Sequence, residues 1–371
     1  MRADRIHLAN FRCFPQIELD LGDGLIVVMG PNASGKTSLL ESLFVASAGR
    51  SMRARRDEEL VRWGESHALV DVVFRQGDGR TTQVRVGLEL GSRGPRKVMT
   101  AGDKPVRRAA DLLSRLPVVL FTPGDLQLAQ AEPAVRRRFL NLALARLRPA
   151  YVDDLARYRR ALQQRNRLLQ MEAPAAQVQP WTEQLVRCGA QVACHRAWLA
   201  GALGELAVGI HGELAGPGEA LRVAYAGDLH EASDPGQAAE RFRTLLEQRV
   251  AEEQRLRRTP VGPHRDDLRL LVNGQRLRHF GSQGQQRTAA LALKLAEAEL
   301  VRRQSGESPI VLLDDCLSEL DEERAGQVLR LTGVYEQLIV TLASREPALA
   351  EAPVRTWVHL RAGEVTSIER E

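Results

Sequence analysis

The sequence predicts an α/β protein in which a parallel sheet is interrupted by a long, mainly helical insertion. Two short apolar runs, 25–29 and 310–313, are typical of strands buried on both faces of such a sheet. They lie near opposite ends of the chain, and apolar residues spaced by three and four dominate most of 130–257 between them. We therefore expect both ends of the chain to contribute to one domain.

The composition indicates an ordinary globular protein and excludes two classes. The chain has 371 residues, of which 44% are hydrophobic and 27% charged. It lacks the apolar core of a secretion signal and any run of about 18 apolar residues, so we expect neither a secreted nor an integral membrane protein. The four cysteines (Cys13, Cys188, Cys194 and Cys316) form no CxxC pair, which favours a reducing cytoplasm. The net charge of +5 is compatible with a polyanionic partner.

The loop after the first predicted strand matches the phosphate-binding pattern G-x-x-x-x-G-K-[ST]. It reads GPNASGKT from Gly30 to Thr37 and precedes a run with helical periodicity, which favours this interpretation over an ordinary glycine turn. Such a loop turns backbone N–H groups toward an anion, while Lys36 reaches the β and γ phosphates and Thr37 binds Mg²⁺. The predicted nucleotide contacts are Gly30, Pro31, Asn32, Ala33, Ser34, Gly35, Lys36, Thr37 and Ser38.

Two aspartates at the end of the second apolar run are the predicted metal ligand and catalytic base. Asp314 and Asp315 directly follow the strand 310–313, and ligands of open α/β sheets bind at the carboxyl ends of strands. We assign Asp314 to Mg²⁺ and Asp315 to activation of the attacking water, and Lys36, which reaches the phosphates, is the second predicted catalytic residue. P-loop ATPases of this layout usually carry a glutamate there, so the shorter aspartate favours slow hydrolysis. The alternative for the pair is capping of the next helix.

Several further stretches are unusual enough to indicate a family. They are NFR (10–12), LFTPGDL (120–126), RRRFLN (136–141), YRRALQQRNRLL (158–169), GPHRDDL (262–268), GSQGQQRTAALALKLAE (281–297) and LLDDCLSELD (312–321). Their order resembles the ABC-type ATPase heads of the SMC and Rad50 kind. Their residues resemble the bacterial RecF recombination-mediator family, from the first strand to about residue 345.

The resemblance implies the fold class, an ABC-type P-loop ATPase head with an inserted, mainly helical arm. We expect the head to comprise residues 1–125, with the phosphate loop, and 258–371, with the second aspartate site. The arm is expected at 126–257, where prolines in the stretch 171–181 indicate a loop between two antiparallel helices. Asn273 and Gly274 indicate a tight turn.

The resemblance also implies a function. Proteins of this family are expected to act in cytoplasmic DNA repair, recombination, replication and the SOS response, with ATP and Mg²⁺ as cofactors. The implied partners are double-stranded DNA, single/double-strand junctions at gaps, and the proteins RecO, RecR and RecA. The implied activity is a slow, DNA-stimulated ATP hydrolysis that resets an ATP-dependent homodimer.

Further site residues follow only from the resemblance. Arg12 becomes a candidate phosphate or adenine contact. In ABC heads the phosphate loop and the signature of one subunit lie too far apart to hold one nucleotide, so the signature meets ATP bound to a second copy. The signature residues are Ser282, Gln283, Gly284 and Gln285, and the D-loop residues are Ser318, Glu319, Leu320 and Asp321.

The sequence departs from the transporter pattern at two places. Thr341 and Leu342 stand where ABC transporters carry a switch histidine, so no such histidine is assigned. The glutamine that senses Mg²⁺ is left open between Gln127 and Gln130, with Asp125 as a third possibility.

Arginine clusters are the candidate DNA contacts, since guanidinium groups suit phosphate oxygens. We expect Arg53, Arg55 and Arg56 to touch DNA, and weigh two further clusters, 136–138 and 157–167, against solvated helix faces with local ion pairs. Two other functions stay open: the ATPase subunit of a membrane transporter, and a DNA-binding scaffold whose nucleotide is not hydrolysed.

Overall fold

The computed structural model describes residues 1–92, 94–216, 218–230, 232, 234–350 and 352–370. Over these residues the chain divides into two compact units. Residues 1–126 and 297–371 form the first unit, and residues 127–296 form the second.

The described residues form both strands and helices along the chain. The strands are β1 (Arg2–Phe11), β2 (Phe14–Asp20), β3 (Gly24–Met29), β4 (His67–Arg75), β5 (Thr81–Gly91), β6 (Gly94–Ala101), β7 (Lys104–Pro105), β8 (Val118–Phe121), β9 (Leu221–Ala226), β10 (Asp267–Val272), β11 (Gln275–Arg276), β12 (Ile310–Asp314), β13 (Gln337–Leu342), β14 (Val354–Arg361) and β15 (Glu364–Arg370). The helices are α1 (Lys36–Ala48), α2 (Ala109–Arg115), α3 (Pro123–Leu126), α4 (Pro133–Leu147), α5 (Ala150–Gln170), α6 (Ala175–Ala215), α7 (Pro235–Gln248), α8 (Val250–Leu256), α9 (Leu277–Phe280), α10 (Gln283–Ser305) and α11 (Glu322–Thr332).

The first unit contains the predicted parallel sheet. Its strand order is β15-β14-β3-β13-β12-β8, and all neighbours run parallel except the edge strand β15. Both predicted apolar runs are confirmed as interior strands, β3 and β12. Because parallel strands end at one edge of a sheet, the residues after Met29, Asp314 and Leu342 are brought together there.

Helix α1 lies between two sheets. It contacts β8, β12 and β13 of the parallel sheet and β4 and β5 of an antiparallel sheet with the order β2-β1-β4-β5-β6-β7. Eleven of the 13 residues of α1 are buried, and the two exceptions are Thr37 and Ser38. A helix that is apolar on nearly all sides is stable only when it is covered on nearly all sides. The P-loop helix is therefore fixed by packing along its whole length.

The second unit is built on a helical hairpin and a small sheet. Helices α5 and α6 pack closely and are joined by residues 171–174. The prolines of 171–181 therefore do not all lie in a loop, since α6 begins at Ala175 and contains Pro180. A proline this close to a helix start interrupts few backbone hydrogen bonds, which explains why the helix continues through it.

The small sheet changes the expected limits of the arm. Strand β10 pairs along its length with β9, and the Asn273-Gly274 turn connects β10 to the short strand β11. Residues 258–296 therefore cluster with the helical arm rather than with the first unit, unlike the boundary at 257/258 that the sequence indicates. The pairing of β9 with β10 joins segments over 40 residues apart, a contact that local sequence patterns do not reveal.

Two arginines from the candidate DNA clusters are internal. Arg136 is 3% exposed and donates Nε and Nη2 to the two carboxylate oxygens of Asp267, at 2.7 and 2.9 Å. Arg165 is 4% exposed and makes a two-pronged pair with Glu253. Both side chains therefore hold the arm together and are not available to DNA.

The Arg165 pair gives a prediction for stability. Arg165→Met leaves the Glu253 carboxylate buried without its partner, and breaking a buried pair in this way costs about 3–5 kcal/mol. We expect the free energy of unfolding to fall by roughly that amount in urea denaturation. Arg160→Met on the same helix is the matched control, because Arg160 is exposed and should change stability by less than about 0.5 kcal/mol. Equal effects from the two variants would contradict a structural role for Arg165.

Candidate nucleotide site

The loop between β3 and α1 has a backbone that only glycine permits at two positions. A Cβ on Gly30 would lie 2.2 Å from the carbonyl oxygen of Leu360. Gly35 has φ 111°, and a Cβ there would lie 2.7 Å from Cζ of Phe14. Glycine at both positions is what a loop needs if its N–H groups are to turn inward around a phosphate.

Lys36 and Ser34 give the loop the polar groups that a phosphate requires. The Lys36 ammonium donates to the carbonyl oxygens of Gly30 at 2.7 Å and Pro31 at 3.1 Å. These neutral acceptors leave its charge uncompensated within the loop. The Ser34 hydroxyl is buried and has no hydrogen-bond partner among the described residues. A buried hydroxyl without a partner is costly, so this loop fits an anionic ligand that would accept from it.

Three oxygens meet at the edge of the parallel sheet. Oδ1 of Asp314 accepts from the Thr37 hydroxyl at 2.8 Å and from the Thr341 hydroxyl at 2.9 Å. Asp314 and Thr37, both predicted metal ligands, are therefore in direct contact, and carboxylate and hydroxyl oxygens suit Mg²⁺. Thr341 was not among the predicted site residues, although it occupies the position at which ABC transporters carry a histidine.

Burial decides the electrostatics of Asp314. The side chain is 5% exposed, and burial raises its pKa above the ordinary aspartate value. The hydroxyls of Thr37 and Thr341 and the charge of Arg53 oppose that rise. Burial makes the charged form of Asp314 unfavourable, and a bound cation would offset that unfavourable free energy.

Asp315 connects the metal site to the predicted D-loop. Its backbone has φ 52°, a conformation that side chains with a Cβ rarely adopt, and its N–H donates to the Thr341 hydroxyl at 2.9 Å. The Ser318 hydroxyl donates to the Asp315 carbonyl at 2.9 Å and to its Oδ1 at 3.2 Å. Asp321 begins α11 by accepting from the Arg324 N–H at 2.9 Å. Glu319 is exposed and Leu320 is half-buried.

Arg12 lies beside α1 with most of its donors engaged. Its Nε and Nη2 donate to the two oxygens of the buried Glu41, both at 2.8 Å, and its Nη1 donates to the Glu59 carbonyl at 2.6 Å. The Ser51 hydroxyl also donates to Glu41. This network anchors the segment 51–59, which carries the predicted DNA contacts. Its role toward a nucleotide stays a prediction.

The basic segment itself divides into two parts. Arg53 is close enough for its charge to act on Asp314, and its N–H donates to the Ser51 hydroxyl at 2.9 Å. Arg55 and Arg56 have exposed side chains, and their N–H groups both donate to Glu59 at 3.0 Å. The segment therefore borders the nucleotide site at one end and faces solvent at the other.

The predicted signature, in the second unit, forms a helix cap. The Ser282 hydroxyl accepts from the Gln285 N–H at 3.2 Å, and the Gln285 side chain accepts from the Ser282 N–H at 3.0 Å, which is a reciprocal capping box. The same glutamine donates to Glu219 at 2.9 Å. Gln283 is exposed and Gly284 half-buried at the start of α10.

The candidates for the Mg²⁺-sensing glutamine differ in their contacts. Asp125 accepts from the N–H and the hydroxyl of Thr122, both at 2.8 Å, and so closes the turn after β8. Gln130 donates to Gln286, while Gln127 is exposed.

Comparison with known proteins identifies the family. The model of the RecF/RecN/SMC N terminal domain matches residues 3–365. The chain is 41% identical to the DNA replication and repair protein RecF of Desulforudis audaxviator over 348 residues, which cover 93% of this chain and 95% of that protein. It is 33% identical to the protein of the same description from Desulfitobacterium hafniense, covering 98% and 99% of the two chains.

Solved structures give the same result. The structure described as the recombination mediator protein RecF-ATPrS in RecFOR pathway superposes with a TM-score of 0.89 at 28% identity, covering 98% of this chain and 97% of that one. The Smc head domain from Pyrococcus furiosus has a TM-score of 0.59 at 16% identity, covering 99% and 96%, which shows the fold alone.

The fold and the site define an ABC-type P-loop ATPase head with a helical arm. The chain belongs to the RecF family of DNA replication and repair proteins. No helix in the described ranges is both long and apolar enough to cross a bilayer.

Asp314 gives a prediction with opposite effects on stability and binding. Because its folded-state pKa lies above the unfolded value, the carboxyl stabilises the fold only when protonated and loses that contribution as pH rises through the folded pKa. Asp314→Asn should therefore raise the melting temperature of the nucleotide-free protein at neutral pH. It should also remove the Mg²⁺-dependent stabilisation by ATP, which in the unsubstituted protein is about 2.7 kcal/mol at 100 times Kd.

The matched control is Asp103→Asn, since Asp103 is exposed. Both effects are measured in thermal melts with and without ATP and Mg²⁺. A variant that melts lower without nucleotide, or that keeps the full Mg²⁺ effect, would contradict the assignment of Asp314.

Proposed function

We propose that this protein binds DNA in an ATP-dependent manner, dimerises on ATP at gapped DNA, and hydrolyses ATP slowly to reset that state. In this proposal it acts in the cytoplasm with RecO and RecR and helps to load RecA. The observation that carries it is the contact of Asp314 with Thr37 and Thr341 at the mouth of a loop whose lysine charge is uncompensated. The relatives named as RecF proteins of DNA replication and repair support the biological setting.

Different residues of the site would hold different parts of the nucleotide and its metal ion. The N–H groups of the loop 30–38 and the Lys36 ammonium would bind the phosphates, and the hydroxyls of Ser34 and Ser38 would complete the cradle. Thr37 and Asp314 would hold Mg²⁺, which when bound neutralises charge on the phosphate oxygens. Arg12, fixed on Glu41, would add positive charge beside the loop.

Asp315 would orient the attacking water. Its position is set by two hydroxyls, Thr341 on its backbone N–H and Ser318 on its carboxylate. The Ser318 hydroxyl occupies one acceptor site of that carboxylate, and the short side chain limits its reach. Both features favour slow hydrolysis, in keeping with a switch rather than a metabolic enzyme.

DNA would be bound through exposed arginines. Arg55 and Arg56 are proposed as phosphate contacts, and Arg53, whose charge acts on Asp314, would border both DNA and nucleotide. Contacts to phosphates position DNA without reading its sequence, which suits a protein that acts at gaps of any sequence.

Turnover measurements separate this function from a scaffold with a structural nucleotide. Lys36→Met removes the only ammonium in the loop, so ATP hydrolysis with gapped DNA should fall at least tenfold, to the rate without enzyme. Lys104→Met, an exposed lysine in the same unit, should leave the rate unchanged. Equal rates in the Lys36 variant and the unsubstituted protein would favour the scaffold.

Sedimentation tests the signature as a dimer contact. Ser282→Arg should abolish ATP-dependent dimers while ATP binding by the monomer changes less than about twofold, because the side chain would block the surface that covers a second copy's γ phosphate. Loss of the helix cap alone should cost about 1 kcal/mol.

Asp234→Ala controls for that cap loss. Asp234 caps α7 in the same unit by accepting from the N–H groups of Gly236 and Gln237. This variant should be destabilised by a similar amount and still dimerise with ATP. Dimers retained by Ser282→Arg would reduce the signature to a helix cap.

A further inference from the structure

A cleft of about 600 Å³ opens on the outer face of the small sheet in the second unit. It is separate from every residue assigned above to the nucleotide or to DNA. Most of its lining residues are charged. The basic ones are Arg222, Arg249, Arg265 and Arg269, and the acidic ones are Asp228, Asp266 and Asp267.

The strand register explains why the cleft is open and basic. Ala224 pairs with Arg269, and Arg222 pairs with Leu271, so side chains at alternate positions of β9 and β10 point to one face. That face carries the two arginines next to the small side chains of Ala224 and Ala226. Small residues on the floor and long cations at its rim make a concave surface with positive charge.

The carboxylates in the cleft are already compensated. Asp267 is bound by both prongs of Arg136 at 2.7 and 2.9 Å, and Asp228 lies 3.8 Å from Arg249. Asp266 accepts from the Tyr225 hydroxyl, and burial raises the pKa of this carboxyl. The negative charge of the cleft is therefore smaller than its composition indicates.

Three of the arginines have no such compensation. Arg222, Arg265 and Arg269 are exposed, and within the described ranges their side chains make no hydrogen bond or ion pair. We call the cleft defined by these three residues the arginine cleft. Three unpaired guanidinium groups around one cavity repel each other and would be stabilised by an anion with several oxygens.

The GPHRDDL stretch contributes one of these residues, and the structure separates its members. His264 contacts the Tyr158 hydroxyl through Nδ1 at 2.6 Å, and Asp266 and Asp267 are bound as described. Arg265 alone points outward into the cleft. The internal members thus hold the loop, and the outer member supplies charge.

The chemistry favours a nucleic acid backbone over an acidic protein segment. Protein segments gain most of their affinity from aromatic or aliphatic anchors in apolar pockets, and the apolar surface of this cleft is limited to alanine, glycine, Pro260 and the ring of Tyr225. The cleft contains two aromatic rings: Tyr225 is half-buried with its hydroxyl bound to Asp266, and Nδ1 of the exposed His230 lies 2.6 Å from the Gly227 carbonyl oxygen. Guanidinium groups around a floor of small residues match phosphodiester oxygens.

We propose that the arginine cleft binds the phosphate backbone of DNA, as a contact on the helical arm distinct from Arg53, Arg55 and Arg56. This proposal rests on the proposed ATP-dependent DNA binding and assigns a second part of the DNA surface. The contact would be independent of base sequence, since phosphate contacts carry no sequence information directly.

The experiment is a salt titration of DNA binding by the full chain with ATP present. Arg222→Ala/Arg269→Ala removes two phosphate contacts, so the slope of log K against log salt should become shallower by about 1.8. Arg222→Lys/Arg269→Lys keeps both charges and should retain most of the slope. Arg255→Ala/Arg258→Ala is the matched control, because it removes two exposed arginines of the same unit that belong to no candidate DNA cluster.

The outcomes separate the possibilities. A shallower slope in the cleft variant alone, with unchanged ATP binding and melting temperature, supports the proposal. An unchanged slope, or an equal change in the Arg255/Arg258 control, overturns it while leaving ATP-dependent DNA binding intact. Loss of polyglutamate binding with unchanged DNA binding would overturn it in favour of an acidic protein. An unsubstituted chain that binds no DNA in any nucleotide state would overturn the proposed function, and the cleft proposal with it.

Discussion

Burial of helix α1 between two sheets is the constraint on which the first unit depends. The helix cannot shift without opening one of two apolar interfaces, so its amino end is fixed at the carboxyl edge of the parallel sheet. This burial also encloses the charge of Glu41, which is 2% exposed. Arg12 and Ser51 compensate that charge, and in doing so they hold the segment 51–59 against the helix. The packing of one helix therefore positions the phosphate loop and the basic segment together.

At the carboxyl edge of the parallel sheet, the residues proposed to bind a ligand lower the stability of the ligand-free protein. Asp314 is buried, and its Oδ1 accepts from the hydroxyls of Thr37 and Thr341. Asp315 has a positive φ, and its N–H donates to the Thr341 hydroxyl. Both features cost free energy in the protein alone, and a bound cation would offset the cost of the buried carboxylate. Thr341 is common to both aspartates. Thr341 lies on β13, which is placed between β3 and β12 in the parallel sheet. It therefore links the strand that leads into the phosphate loop with the strand that ends at Asp314.

Much of the first unit could be predicted because its signals are local. The apolar runs 25–29 and 310–313 and the glycine pattern of the loop each act over fewer than ten residues, and the parallel sheet follows from them. Contacts between distant segments were not predictable in this way. Arg136 and Arg165 resemble surface charge in the sequence, and only the fold brings Asp267 and Glu253 to them. The carbonyl of Leu360 above Gly30 is another contact of this kind, since it depends on β14 pairing with β3.

The predicted signature forms a helix cap, and the same stretch is compatible with the proposed dimer contact. Ser282 and Gln285 satisfy each other's N–H groups, so the stretch is a complete helix cap in one chain. Intrahelical bonding begins only with the Gln286 N–H, which donates to the Ser282 carbonyl at 3.0 Å. The N–H groups of Gln283 and Gly284 precede that first bond and carry the positive end of a 23-residue helix. A phosphate from a second copy would therefore meet these two N–H groups first, and the serine hydroxyl could donate to it without giving up the bond it accepts. The cap and the proposed dimer contact use different atoms of the same residues, so the presence of one is no argument against the other.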